Sequence, residues 1–173
     1  MSLRDDETRS GSFEGLFSGE WPKVARIAQR ILGDQGRAEE VAQDVFLAFY
    51  QRFGGDIPSA PGPWLYAAAA HAALNTLRGD GRRQRREESD VRASVTTAPD
   101  PALVAEAAED RRELRQALRR LKPQSAKLLA LRYSGLSYNE IAQTLELPVA
   151  QVGTRLRRAE MQLRKEMQHE ARQ

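Results

Sequence analysis

No cysteine occurs anywhere in the 173 residues. That excludes disulfides, thiolate nucleophiles and thiolate zinc sites. Histidine is almost as scarce: His71 and His169 are the only two, far apart in sequence, which argues against a histidine-rich metal site. His71 has no nucleophile or carboxylate partner at catalytic spacing, and no glycine-rich phosphate loop or internal repeat is present. No stretch approaches the roughly 20 apolar residues that span a bilayer, and the opening MSLRDDETRSGS lacks the apolar segment of a secretory signal. These absences lead to the expectation of a soluble, cytoplasmic protein that is not an enzyme, with no metal, no cofactor and no small-molecule substrate.

Aromatics make up only 6% of the chain against 40% hydrophobic residues, and Ala, Leu and Arg are abundant. That balance supports packed cores made of helices, so the predicted class is all-α. The net charge of +3 is modest, and the basic residues therefore matter through their clustering.

The most constrained stretch is LSYNEIAQTLELPVAQVGTRLRR, residues 136–158. Ser137 followed by Glu140 has capping-box spacing and predicts a helix starting near Tyr138. Ile141, Ala142 and Leu145 form its apolar stripe, and Pro148 stops it and suits the first turn of a second helix. In that second helix Val149, Val152 and Leu156 point one way, leaving Gln151, Thr154, Arg155, Arg157 and Arg158 as donors on the other faces. Two helices joined by a tight turn, the second basic outside, describe a helix-turn-helix reader of the DNA major groove. An ordinary helical bundle with a solvated basic face has the same local pattern. Two features depart from the usual motif: Glu146 stands where many such turns carry glycine, and Gly153 lies inside the proposed reading helix.

Elsewhere the spacing predicts a disordered stretch over 1–12. A helical run follows from Phe13 to Leu32, split in two by Gly19 and Pro22 and ended by Gly33. Asp34 caps the next helix, whose buried face is Ala38, Val41, Ala42, Val45, Phe46, Phe49 and Phe53. Glu39, Glu40, Gln43, Asp44 and Gln51 face outward. Gly54-Gly55 ends this helix, and Asp56 to Pro63 reads as irregular. From Trp64 a further helix carries a small-residue face, Ala67 to Ala73, and runs into Arg78, Arg82, Arg83, Arg85 and Arg86. This basic helix end beside Trp64 and Tyr66 suits phosphates and unstacked bases, although arginines at a helix carboxyl end also simply favour the dipole. Residues 87–100 read as a flexible linker, 101–168 as a second helical domain with Leu103, Ala107, Leu114, Leu118 and Leu121 inside, and 169–173 as a tail.

Together these pieces resemble a sigma-70 family RNA polymerase sigma factor of the extracytoplasmic-function group. Three segments in the family's order carry the resemblance: RILGDQGRAEEVAQDVFLAFY, PWLYAAAAHAALNTLR, and LRRLKPQSAKLLALRYSGLSYNEIAQTLELPVAQVGTRLRRA. The fold it implies is two small helical domains, a sigma region 2 bundle over 13–86 and a sigma region 4 helix-turn-helix over 101–168, joined by the linker. The implied function is to bind core RNA polymerase and direct promoter-specific initiation by reading minus-35 and minus-10 elements. Glu39, Glu40, Gln43, Asp44 and Phe46 fall where the family docks on the clamp helices of the largest polymerase subunit. The minus-10 contacts are expected from Trp64, His71, Asn75, Arg78, Arg82 and Arg83. The minus-35 contacts are expected from Gln151, Thr154, Arg155 and Arg158, with Arg157 on phosphate. Family members commonly carry arginine at 67, asparagine at 71 and a basic residue at 153, where this chain has Ala67, His71 and Gly153. The resemblance further implies an anti-sigma partner of the kind, often at the inner membrane, that holds many relatives inactive. Two rivals stand beside it: a stand-alone helix-turn-helix regulator, and a helical interaction protein with vestigial DNA surfaces.

Overall fold

The order of elements is α1 (Leu3–Leu32), α2 (Gln35–Phe53), α3 (Gly62–Glu87), α4 (Pro101–Arg120), α5 (Pro123–Tyr133), α6 (Tyr138–Leu145) and α7 (Val149–Glu170). This is a computed structural model; the described residues are 3–87 and 101–170, and side chains are described for 13–83 and 106–169. Among them every regular element is an α-helix, as the composition predicts. The expected linker, apart from Glu87, lies outside the described residues, as do the side chains of Leu103, Arg85 and Arg86.

Helix boundaries follow local chemistry. Gly33 turns the chain with φ +69° and donates its amide to the Gln29 carbonyl, closing α1. Asp34 then accepts the Arg37 amide at 2.8 Å to cap α2, and Gly54 ends α2 with φ +55°. Lys122 and Pro123 interrupt the chain between α4 and α5.

Two expectations about α1 are corrected. It begins at Leu3 rather than after an irregular stretch, and Gly19 and Pro22 do not split it. Proline removes one backbone hydrogen bond and crowds the preceding turn. Packing on both sides of Pro22 offsets this: Trp21 stacks on Phe46 at 5.9 Å, Phe17 lies 4.8 Å from Phe46, and Val24 is fully buried.

Helices α1, α2 and α3 pack on one another as the amino-terminal unit, and α4 to α7 form the carboxy-terminal unit. The small-residue face of α3 places Ala69, Ala70 and Ala73 in full burial beside Leu65, Leu74 and Leu77. The core does not stop at the unit boundary, because α3 also packs on α4, α5 and α6. Leu77, Leu118, Leu121, Leu128 and Ile141 belong to one continuous apolar cluster.

Candidate nucleic-acid interface and its surroundings

Helices α6 and α7 form the helix-turn-helix. Ser137 Oγ accepts the Glu140 amide at 3.2 Å, and Glu140 Oε2 accepts the Ser137 amide at 2.8 Å, completing the capping box. The turn is made by Glu146 in the left-handed region, φ +54° and ψ +48°, followed by the Leu147 amide donating to the Ala142 carbonyl. A glycine would adopt that conformation without steric cost; Glu146 adopts it at a cost of about 1 kcal/mol.

On α7, Val152 and Leu156 are buried, which fixes the rotation of the helix. Val149 is a correction: it is 46% exposed, because it occupies the first turn, ahead of the packed part of α7. With that rotation Gln151, Thr154, Arg155, Arg157 and Arg158 are all exposed. Arg155 donates through Nε and a terminal nitrogen to Gln151 Oε1, at 3.2 and 2.8 Å, so one side chain aims the other. Beside them lies an open cleft of ≈590 Å³ lined by Lys122, Ser125, Gln151, Thr154, Arg155 and Arg158 among others, with no carboxylate on its walls. Such a surface favours a polyanion. Four of the five predicted α7 residues, Gln151, Thr154, Arg155 and Arg158, line this cleft, while Arg157 lines a neighbouring one with Tyr138 and Gly153.

Gly153 is half-buried, and a Cβ placed there would meet the Tyr138 ring at 3.5 Å. Tyr138 in turn lies under the Arg132 guanidinium, 5.3 Å from its ring centroid.

The residues expected at the minus-10 element divide. His71 and Asn75 are exposed and hydrogen-bonded to each other at 3.1 Å, one helical turn apart. Arg82 and Arg83 are exposed farther along α3. Trp64 is half-buried, its ring edge-on to Phe49 at 5.5 Å and to Phe53 at 5.7 Å, so only part of its surface faces outward. Arg78 donates to the Leu121 carbonyl at 3.1 Å, across the boundary between the units. Tyr66, paired with Trp64 in the sequence reading, is 4% exposed and donates to Glu20 at 2.5 Å. Burial first, and the Glu20 carboxylate second, push its hydroxyl up to about 12. It is a core group and presents no ring to a base.

The outward face of α2 carries Glu40, Gln43 and Asp44 exposed, with Glu39 half-buried and accepting from Gln35 at 2.9 Å. Phe46 is 2% exposed and packs against Phe17 and Trp21, in register with Ala42 and Phe49, so in the free chain it faces the core and not the outward surface of α2. The sequence reading missed Leu47 and Tyr50, 55% and 54% exposed beside the acidic residues. Their signal was in the periodicity: both fall off the buried stripe yet are apolar, and Tyr50 packs edge-on to Phe13 at 5.2 Å.

Comparison with known proteins follows the same division. The family model for sigma-70 region 2 matches residues 16–83, and the model for sigma-70 region 4 matches residues 111–163. RNA polymerase sigma factor YlaC of Bacillus subtilis is 32% identical over 90% of this chain and 92% of its own length. RNA polymerase sigma-H factor of Pseudomonas aeruginosa is 33% identical over 84% of this chain and 81% of its own. The ECF RNA polymerase sigma factor SigE of Mycolicibacterium smegmatis is 27% identical over 92% of this chain, which spans 63% of the length of that relative. Among solved structures, CnrH in complex with the cytosolic domain of CnrY aligns with TM-score 0.55 at 21% identity, covering 94% of each chain. The sigma factor RpoE from Bartonella quintana, solved with the anti-sigma factor NepR, aligns with TM-score 0.52 at 19% identity, covering 91% of this chain and 97% of the other. These two likenesses bear on the fold alone.

Proposed function

Since the chain belongs to the sigma-70 family, as two matched regions and two relatives above 30% identity establish, we propose that it binds core RNA polymerase and directs promoter-specific transcription initiation. It contributes no catalysis of its own; the polymerase makes the bonds. The observation that carries the reading is the exposed set Gln151, Thr154, Arg155, Arg157 and Arg158 on a helix whose Val152 and Leu156 are buried.

In this reading α7 enters the major groove at the minus-35 element. Arginine and glutamine there read base edges, each good pair discriminating by about 1–3 kcal/mol, while Arg157 and the lysine and arginines around the cleft neutralise phosphates. At the minus-10 element the exposed His71–Asn75 pair, Arg82, Arg83 and the outer part of Trp64 meet the separated strand. Arg78 joins them once it leaves the Leu121 carbonyl. Glu40, Gln43 and Asp44, with Leu47 and Tyr50, dock on the clamp helices of the largest subunit. Phosphate neutralisation makes assembly steeply dependent on salt. No described helix is long and apolar enough to cross a membrane, which supports a cytoplasmic site of action. An anti-sigma protein that tethers the chain at the inner membrane rests on the family resemblance.

In vitro transcription with core polymerase, using the promoter that precedes the protein's own operon, tests the proposal. The expected result is a discrete transcript that needs both the chain and the polymerase. Specific operator binding by the chain alone, with no polymerase-dependent transcript, would replace this reading with a stand-alone regulator.

A further inference from the structure

A guanidinium carries donors only, so the atom of Gln151 that faces Arg155 has to be the one that accepts. Both bonds from Arg155, from Nε at 3.2 Å and from a terminal nitrogen at 2.8 Å, end on Gln151 Oε1. They occupy both lone pairs of that oxygen and turn the amide so that its NH2 group is left to donate. On Arg155 the edge formed by Nε and one terminal nitrogen is spent. The outer edge, formed by the two terminal nitrogens, is free. The pair therefore presents donors and no acceptor.

The rotation of α7 sets the pair where bases are read. Gln151 lies in the first turn and Arg155 one turn on, both exposed, with Val152 and Leu156 buried on the other side. The first turns of a helix in the major groove are the ones whose side chains reach base edges. A glutamate at position 151 would bind an arginine four residues on more strongly, and would neutralise it. The amide aims the guanidinium and leaves its charge whole. Arg158 farther along the same cleft is also a pure donor, and no carboxylate lines the cleft to supply an acceptor.

The four bases differ in what they offer such a surface. In the major groove guanine shows two acceptors, N7 and O6, and thymine shows the O4 acceptor; cytosine shows an amine donor, and adenine one acceptor beside one donor. The outer edge of Arg155 matches guanine. A glutamine with its carbonyl free would take adenine through both amide atoms; with the carbonyl spent, Gln151 has nothing to offer the adenine amine. We propose that Gln151 and Arg155 work as one donor-only reading unit, selecting guanine under Arg155 and a keto base, guanine or thymine, at the adjoining step under Gln151. The proposal rests on the minus-35 reading of α7 given above.

The test is transcription by core polymerase and the full-length chain from a promoter library randomised through the minus-35 element, with the transcribed templates sequenced. Wild type should enrich guanine at one position and guanine or thymine at its neighbour, each at least five-fold over adenine and cytosine. Q151E restores an acceptor to the surface, and should turn the neighbour toward cytosine or adenine by at least five-fold. On the promoter that wild type selects, Q151A and R155A should each lose about ten-fold or more. Together they should lose no more than about twice what R155A loses alone, because a single unit is removed once. Both residues are exposed, so the helical circular dichroism of all variants should match wild type. Enrichment of adenine or cytosine by wild type at those two positions, a Q151E chain with unaltered selection, or losses that multiply in the double variant overturns the unit and leaves the sigma reading intact. A wild-type chain that enriches no promoter sequence with core polymerase overturns the sigma reading first, and the unit with it.

Discussion

Lys23 on α1 and Glu140 on α6 form an ion pair of 2.7 Å, and the same carboxylate closes the capping box of the helix-turn-helix by accepting the Ser137 amide. One side chain therefore both starts the motif and ties it to the amino-terminal unit. The Glu140 carboxyl is held below its ordinary value of 4.5, chiefly by the Lys23 ammonium and then by the Ser137 amide. The Lys23 ammonium is held above 10.5, chiefly by Glu140.

The signs define a window of pH. A depressed carboxyl contributes stability above 4.5 that is lost as pH falls through its folded value; a raised ammonium contributes stability below 10.5 that is lost as pH rises through its own. The contribution of the pair is thus flat between the two and declines outside. The side chains are 38% and 34% exposed, so it is limited to less than about 1 kcal/mol. Urea titrations of wild type and K23M at pH 4 to 11 check this: the gap between them should be constant from pH 5 to 10 and should shrink at the acid end. A gap that widens toward low pH would contradict the assignment.

Phe46 and Asp44 stand two residues apart with opposite fates, one buried at 2% and the other exposed. F46A should cost about 3–5 kcal/mol of unfolding free energy, because its cavity lies between Phe17 and Trp21. D44K should leave the melting temperature within about two degrees, as surface substitutions do. It should weaken core polymerase binding at least ten-fold in a titration by fluorescence anisotropy. If F46A folds normally and loses polymerase selectively, the rotation of α2 is other than described.

Much of this was readable in the sequence because the signals were local. Asp34, Gly33, the Ser137–Glu140 box and the Val152–Leu156 stripe each act within one or two helical turns, and each stands where the spacing placed it. Pro22 misled because a local rule for proline was overridden by packing from α2, a contact with no local trace. Phe46 was placed at once on the buried face by its periodicity and on the polymerase face by family position, and the periodicity alone describes its 2% exposure in the free chain. The bonds of Arg78 to the Leu121 carbonyl and of Arg119 to the Leu77 carbonyl, between the units, were invisible for a different reason: both acceptors are backbone carbonyls, which any sequence supplies.

Arg155 and Arg158 should separate recognition from assembly. Both are exposed, and neither belongs to the core that positions α7. Replacing both with alanine should reduce the promoter-specific transcript by about two orders of magnitude, from two lost contacts of about 1–3 kcal/mol each. Polymerase binding and the helical circular dichroism should stay unchanged. Run-off transcription beside a pull-down with core polymerase gives both readings, and promoter selectivity that survives would show that another face of the domain reads the DNA.

Gly153 offers the complementary gain. It lies within α7, where glycine costs about 1 kcal/mol relative to alanine, and a Cβ there meets only the Tyr138 ring at 3.5 Å, an ordinary contact. G153A should therefore stabilise the protein by up to about 1 kcal/mol, read as a rise of about 2–4 °C in its melting temperature. G153K should keep most of that gain and add a cation to the face shared with Thr154 and Arg157. Affinity of the polymerase-bound chain for promoter DNA should then rise, and the dependence of log affinity on log salt should steepen by about one unit for one added phosphate contact. A stabilised G153K with an unchanged salt slope would place position 153 away from the backbone of the DNA, and would leave Arg157 to carry that side of the groove alone.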